Sequence, residues 1–105
     1  MTGLTIMADA TRHETRALLQ AAIAGAHLNA GALIEADRYA RSAVDYFATT
    51  DFITFHADSA LILGDVLRAS SRRAEADATY RVAQDLFTRK GSIVGERTAA
   101  ARLAG

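Results

Sequence analysis

The residues of this chain best able to do chemistry are three histidines and two carboxylate pairs. His13, His27 and His56 stand alone: none lies four residues from another, the spacing that lets two imidazoles leave one helix face toward a zinc ion. His56, Asp58 and Ser59 carry the residue types of a hydrolase triad. At separations of two and three on one helix they point to different sides, whereas a triad is a relay assembled from separate elements. Glu35 with Asp37, and Glu75 with Asp77, are each two residues apart. On a helix that is a divergence of about 200°, too wide to share a proton or a metal ion. No glycine-rich phosphate loop and no EF-hand loop is present in the sequence. The residues predict a non-catalytic protein with no cofactor and no metal. A small helical-bundle ligand binder, using His27 or His56 in a pocket, is an alternative reading.

Arg68, Arg72 and Arg73 form the one basic cluster. Read as part of a helix-turn-helix, they would bring a recognition helix to DNA phosphates. That helix also carries Glu75, Asp77 and Asp85, which repel phosphate, so a solvated turn is the favoured reading and DNA binding the alternative.

The carboxylate pairs belong to a larger pattern. Glu35-Ala36-Asp37 with Arg41, Ala43, Asp45 and Phe47 returns 40 residues later as Glu75-Ala76-Asp77 with Arg81, Ala83, Asp85 and Phe87. A fixed internal period marks a repeat architecture, in which each unit buries its apolar face only against its neighbours.

Bulk properties set the frame. At 105 residues the chain is one domain, half apolar, 23% charged and of zero net charge, with no bias toward nucleic acid or acidic membranes. There is no cysteine, which suits a reducing cytoplasm. Residues 1–10 lack the basic start and compact apolar stretch of a signal peptide. The longest mostly apolar run, 17–26, is too short to span a bilayer. Proline is absent and alanine contributes 24 residues, so little interrupts helix formation between the turns. Eleven arginines against one lysine suggest a GC-rich bacterial source.

Taken in order, residues 1–10 show no period and predict a flexible lead-in, followed by a single helical domain over 11–105. Thr11 and Glu14 have capping-box spacing and predict a first helix over about 12–30, ended by Gly31 as a left-handed cap. Its apolar residues cover more than one stripe, so it is expected to be buried from several sides. Leu33, Ala36, Ala40, Ala43, Val44 and Phe47 recur at three and four, predicting a second helix over about 33–50. Its Asp37, Arg41 and Asp45 form a solvated face. Asp51 is the expected cap of a third helix over about 52–70, with Ile53, Ala57, Ala60, Leu63, Gly64 and Leu67 inward. A serine of the pair 70–71 is the expected cap of a fourth over about 72–89, with Ala76, Tyr80, Ala83 and Phe87 inward. Gly91 ends it, and Ser92 caps a shorter fifth helix over about 93–104. The fold class is all-α: about five antiparallel helices in two and a half hairpin repeats.

Leu63-Gly64, Leu67, Ser71, Ala76, Tyr80 and Ala83 fall at the spacing of the tetratricopeptide pattern. Ile23-Ala24, His27, Gly31, Ala36, Ala40 and Ala43 hold the same positions one period earlier. Over residues 15–104 the chain resembles the tetratricopeptide (TPR) family. From Gly64 to Leu103 it is similar to the helical-repeat tails of multidomain actinobacterial regulators, most closely at 64–68 and 87–91. It departs from the family in its period of 40 rather than 34 and in lacking the closing proline, replaced by Ala48 and Thr88. The resemblance implies a TPR-like superhelix serving as a protein–protein interaction scaffold with a regulatory role. It also implies a concave face lined by the odd-numbered helices, where Leu28, Asn29, Asp58, Leu61, Asp65 and Arg68 contact a protein or peptide. Each of these also reads as an ordinary solvated residue.

Stable repeat arrays need about three units, and this chain has two and a half. With so apolar a first helix, the sequence predicts a homodimer, or docking against another domain or protein, that covers part of that helix.

Overall fold

The computed structural model describes residues 2–105, with side chains described from Arg12 onward. Five helices follow one another: α1 (Thr2–Asn29), α2 (Leu33–Ala48), α3 (Ile53–Ala69), α4 (Arg73–Lys90) and α5 (Ile93–Ala104). Each packs antiparallel against the next, and among the described residues there is no strand. The fold is an all-α series of helical hairpins, as expected.

The first boundary differs from expectation. α1 begins at Thr2 rather than near residue 12, so Thr11 lies inside the helix and the Thr11/Glu14 capping box does not mark its start. Nothing in 2–11 breaks a helix beyond one glycine, and once a helix is nucleated each added residue gains a hydrogen bond.

Three of the four turns are built alike. At the end of α1, Ala32 N–H donates to the His27 carbonyl at 2.9 Å and Gly31 N–H to Leu28 at 3.1 Å. The same pair of bonds recurs as Arg72 to Leu67 and Ser71 to Arg68, and again as Ser92 to Phe87 and Gly91 to Thr88. This is the Schellman closure, which needs one residue with positive φ. Gly31 (φ 78°), Ser71 (φ 62°) and Gly91 (φ 80°) supply it. The expected serine cap of α4 is thereby corrected. Ser71 is drawn into the left-handed position, and Arg72 stands at the helix start with no side-chain cap. The turn from α2 to α3 is different. Thr49 and Thr50 donate to the carbonyls of Tyr46 and Phe47 at 2.7 and 2.8 Å. Thr50 Oγ1 then accepts from Phe52 N–H at 3.2 Å. Asp51 therefore does not cap α3; the residue at that helix start is Phe52, without a side-chain bond. Ser92 caps α5 as expected, its hydroxyl accepting from Gly95 N–H at 3.1 Å.

The doubled motif packs as a doubled motif. Ala36, Ala40, Ala43 and Phe47 of α2 are buried, and so are Ala76, Tyr80, Ala83 and Phe87 of α4, one period on. Each even-numbered helix thus shows its neighbours the same inward face. Two continuous apolar clusters result. One joins Ala24, Ala40, Leu63, Leu67, Ala76 and Tyr80; the other joins Ala57, Ala60, Ala83, Leu86, Phe87 and Ala99.

Helices approach closely where one partner is small. Gly64 lies against the Tyr80 ring, and Gly95 against the Phe87 ring, each leaving no room for a Cβ. One period earlier the partners change size together. Ala24 and Ala40 replace Gly64 and Tyr80, while Phe55 replaces Gly95 and meets Phe47 at 5.6 Å between ring centroids. The repeat conserves contact positions while redistributing volume between them.

α1 is the exception to these matches. Among its described side chains, from Arg12 onward, only Ala17 and Ala24 are buried, because α2 and α3 cover a single side there. Burial from several sides does not occur within one chain: Leu18, Leu19 and Ile23 are 39%, 58% and 38% exposed.

Candidate functional site

The odd-numbered helices were expected to line a binding face, and two of the six candidate residues there have other work. Asp65 on α3 accepts a hydrogen bond from the Tyr80 hydroxyl of α4 at 2.6 Å. Its carboxylate also accepts from Arg102 of α5, at 2.8 Å from Nε and 3.4 Å from Nη2. Arg68, one turn along α3, donates to the Arg102 carbonyl and lays its guanidinium over the Tyr80 ring, 4.9 Å from the centroid. Burial, reinforced by the Asp65 bond, raises the Tyr80 phenol well above its ordinary range, so it remains a proton donor. The same carboxylate raises the Arg102 guanidinium. Asp65, Arg68, Tyr80 and Arg102 form one polar clamp that docks α5 onto the α3–α4 hairpin.

The other four candidates are freer. Asn29 and Asp58 are exposed, Leu28 is half-buried at the end of α1, and Leu61 is half-buried against both apolar clusters. Leu61 and Asp58 are three residues apart on α3, on the face that continues to Asp65, so the structure does bring part of the expected set into line.

A second polar arrangement links the even-numbered helices. Arg41 donates to Asp37 at 2.6 Å and reaches Glu75 at 3.5 Å. Arg72 donates to Glu75 at 3.0 Å and stands 3.6 Å from Asp37. Charges alternate around this closed ring of four, spanning α2 and the start of α4. Being mostly solvent-exposed, each pair contributes less than about 1 kcal/mol. Their value lies in orienting one hairpin on the next. Beside the ring is an open groove of about 620 Å³, lined by Leu33, Ile34, Arg38, Ser42 and Asp45 along with the ring residues Asp37, Arg41 and Arg72. The sequence reads Asp37 and Arg41 as a solvated face and Arg72 as part of a solvated turn, since only spacing along the chain is visible there.

The basic cluster does not form a free patch. Arg68 belongs to the clamp and Arg72 to the ring. Arg73 Nε stands 3.1 Å from Asp77 Oδ1, an ion-pair distance without hydrogen-bond alignment.

The histidines stay apart. His27 stacks on Tyr39 at 5.7 Å and 11° between planes, and His13 lies 6.4 Å from Tyr46. His56 is half-buried on α3, where burial and then the charge of Arg89 hold its imidazolium below the ordinary value of 6.5. Among the described residues no three histidine or carboxylate side chains gather where they could hold a metal ion. No helix among those residues is long and apolar enough to cross a membrane.

No family model matches the chain, and no curated protein and no solved structure matches it either.

Proposed function

We propose that this protein is a non-catalytic, TPR-like interaction module that recognises a protein or peptide, with a regulatory role. The observation carrying this reading is the pairing of a repeated hairpin scaffold with an apolar helix face, on α1, that its own chain leaves uncovered. Repeat scaffolds are quasi-linear and offer long surfaces in place of an enclosed pocket, which suits recognition of another chain. A superhelical course of the hairpins would gather Leu28, Asn29, Asp58 and Leu61 toward one face. Partner binding, either by a second copy or by another protein domain, would cover part of α1. A cysteine-free chain suits a bacterial cytoplasm. The helix-turn-helix alternative draws no support from Arg68, Arg72 and Arg73, which are engaged with a ring, a carbonyl and carboxylates.

The test is capture from native lysate by the immobilised chain, run beside Asn29→Lys and Asp58→Lys. Both positions are exposed, so folding should persist, which circular dichroism checks. A specific partner lost on these substitutions supports the reading. A partner retained by both variants, or specific capture of a nucleic acid in its place, sinks it.

A further inference from the structure

The groove beside the four-charge ring holds side chains that the scaffold does not use. The inward faces of α2 and α4 match position for position, so a comparison of their outward faces shows what packing leaves free. Where α4 carries the exposed Ala74 and Ala78, α2 carries Ile34 and Arg38. Ile34 is 85% exposed, the largest fraction for any large apolar side chain among the described residues. The Arg38 side chain is 71% exposed, and its one carboxylate partner among those residues, Glu35, stands 3.8 Å away. At the other end of the groove, the Asp45 carboxylate has no ion pair or hydrogen bond among the described residues. Arg41, four residues earlier, is turned to Asp37 and Glu75 instead. Asp45 also lies in the last turn of α2, where the negative end of the helix dipole disfavours a carboxylate. The ring balances its own charges. The groove is left with an apolar end, one loosely held cation and one unpaired anion.

We propose that this groove binds a short extended segment of another protein, bearing an apolar side chain, then an acidic and a basic residue three positions apart. This rests on the interaction-module reading for the kind of partner, and it uses a surface separate from Asn29 and Asp58. The charges set the order. Arg38 attracts a carboxylate and Asp45 a cation, while Leu33 and Ile34 take the apolar side chain. Arg38 and Asp45 are seven residues apart on one face of α2, about 10 Å at 1.5 Å per residue. Extended backbone advances about 3.3 Å per residue, so three residues cover that distance. An α-helix laid from Leu33 to Asp45 would be about 18 Å long and would displace about 1,400 Å³. That is over twice the groove's volume of about 620 Å³, so an extended segment is the form it can enclose.

Selection from a phage-displayed library of random octapeptides, with the immobilised full chain as bait, tests the proposal. Recovered peptides should share an acidic and a basic residue three apart, with an apolar residue on the acidic side. The double variant Arg38→Glu with Asp45→Lys should recover the two charges in the opposite order. A recovered peptide is then labelled and its binding followed by fluorescence anisotropy. Ile34→Ala should weaken that binding about tenfold. Arg38→Ala and Asp45→Ala should each weaken it about two- to fivefold, and by less at high salt. Ile34→Ala and Arg38→Ala give α2 the residue types that α4 already carries, so folding should persist, which circular dichroism checks. No shared pattern, the same charge order from the swapped variant, or binding undiminished by Ile34→Ala would each overturn the proposal. So would self-association that Ile34→Ala abolishes, since a second copy would then fill the groove. Asn29→Lys and Asp58→Lys should leave peptide binding unchanged, so this groove and the other face can fail separately.

Discussion

The Tyr80 ring fills the space in which Gly64 would carry a side chain: a Cβ there would stand 2.6 Å from Cδ1 and closer still to Cε1. The ring cannot swing away, because it is fully buried, its hydroxyl is held by Asp65 and Arg68 lies across its face. Gly64→Ala should therefore destabilise the protein by about 1–3 kcal/mol, despite alanine's better helix propensity. Urea unfolding measures this. In a Tyr80→Leu background, where the opposing side chain is shorter and flexible, the added penalty should shrink, and additive losses would refute the contact as its cause.

Ser71 should yield the opposite sign. It holds a φ of 62° at a turn where the two matching positions are Gly31 and Gly91. A left-handed conformation costs a residue with a Cβ about 1–2 kcal/mol, part of which returns as glycine's greater unfolded-state entropy. Ser71→Gly should stabilise by about 0.5–1 kcal/mol in thermal unfolding, and Gly91→Ala should destabilise by a similar amount.

Asp65 is the hub of the clamp on α5. Asp65→Ala removes the acceptor for both Tyr80 and Arg102. Arg102 is 37% exposed, so solvent screening limits its share of the loss to about 1 kcal/mol, while the buried Tyr80 hydroxyl left without an acceptor adds about 1–3 kcal/mol. The more telling readout is local: amide exchange in α5 should accelerate relative to α2, because α5 is held chiefly by its packing on α4 and by this clamp. Uniform acceleration across the chain would refute the clamp.

His56 predicts a pH response. Its folded imidazolium is held below 6.5, so on acidification the unfolded chain takes up its proton first. Stability from this group is therefore complete above about 6.5 and falls as pH drops through that value toward the folded one. Urea midpoints should decline across this range, and His56→Gln should flatten the decline. An unchanged slope would place the titration elsewhere.

How much could be read in advance depended on the range of the interaction. The limits of α2 to α5 followed from apolar residues at three and four and from Gly31 and Gly91, all local signals. The inward faces of α2 and α4 were equally legible, because Ala36 to Phe47 repeats as Ala76 to Phe87. The expected caps at Asp51 and at a serine of the pair 70–71 fail at short range, where several polar residues compete for one turn and only the closed hydrogen bonds show which prevails. The clamp was invisible for a different reason. Asp65 and Arg102 are 37 residues apart, and no spacing rule connects them. Of the expected surface residues, Asp65 and Arg68 looked like solvated groups until α4 and α5 were seen to close over them.

By itself, then, the sequence determined that this chain is helical, that it repeats at 40 residues and which face of each repeated helix turns inward, because periodicity and propensity act through neighbours along the chain. Only the tertiary structure decided that Gly64 and Gly95 serve aromatic rings, that four charges close a ring between hairpins, and that one side of α1 is left bare. Those outcomes depend on which side chains meet across helices, a matter of distance in space that linear order does not encode.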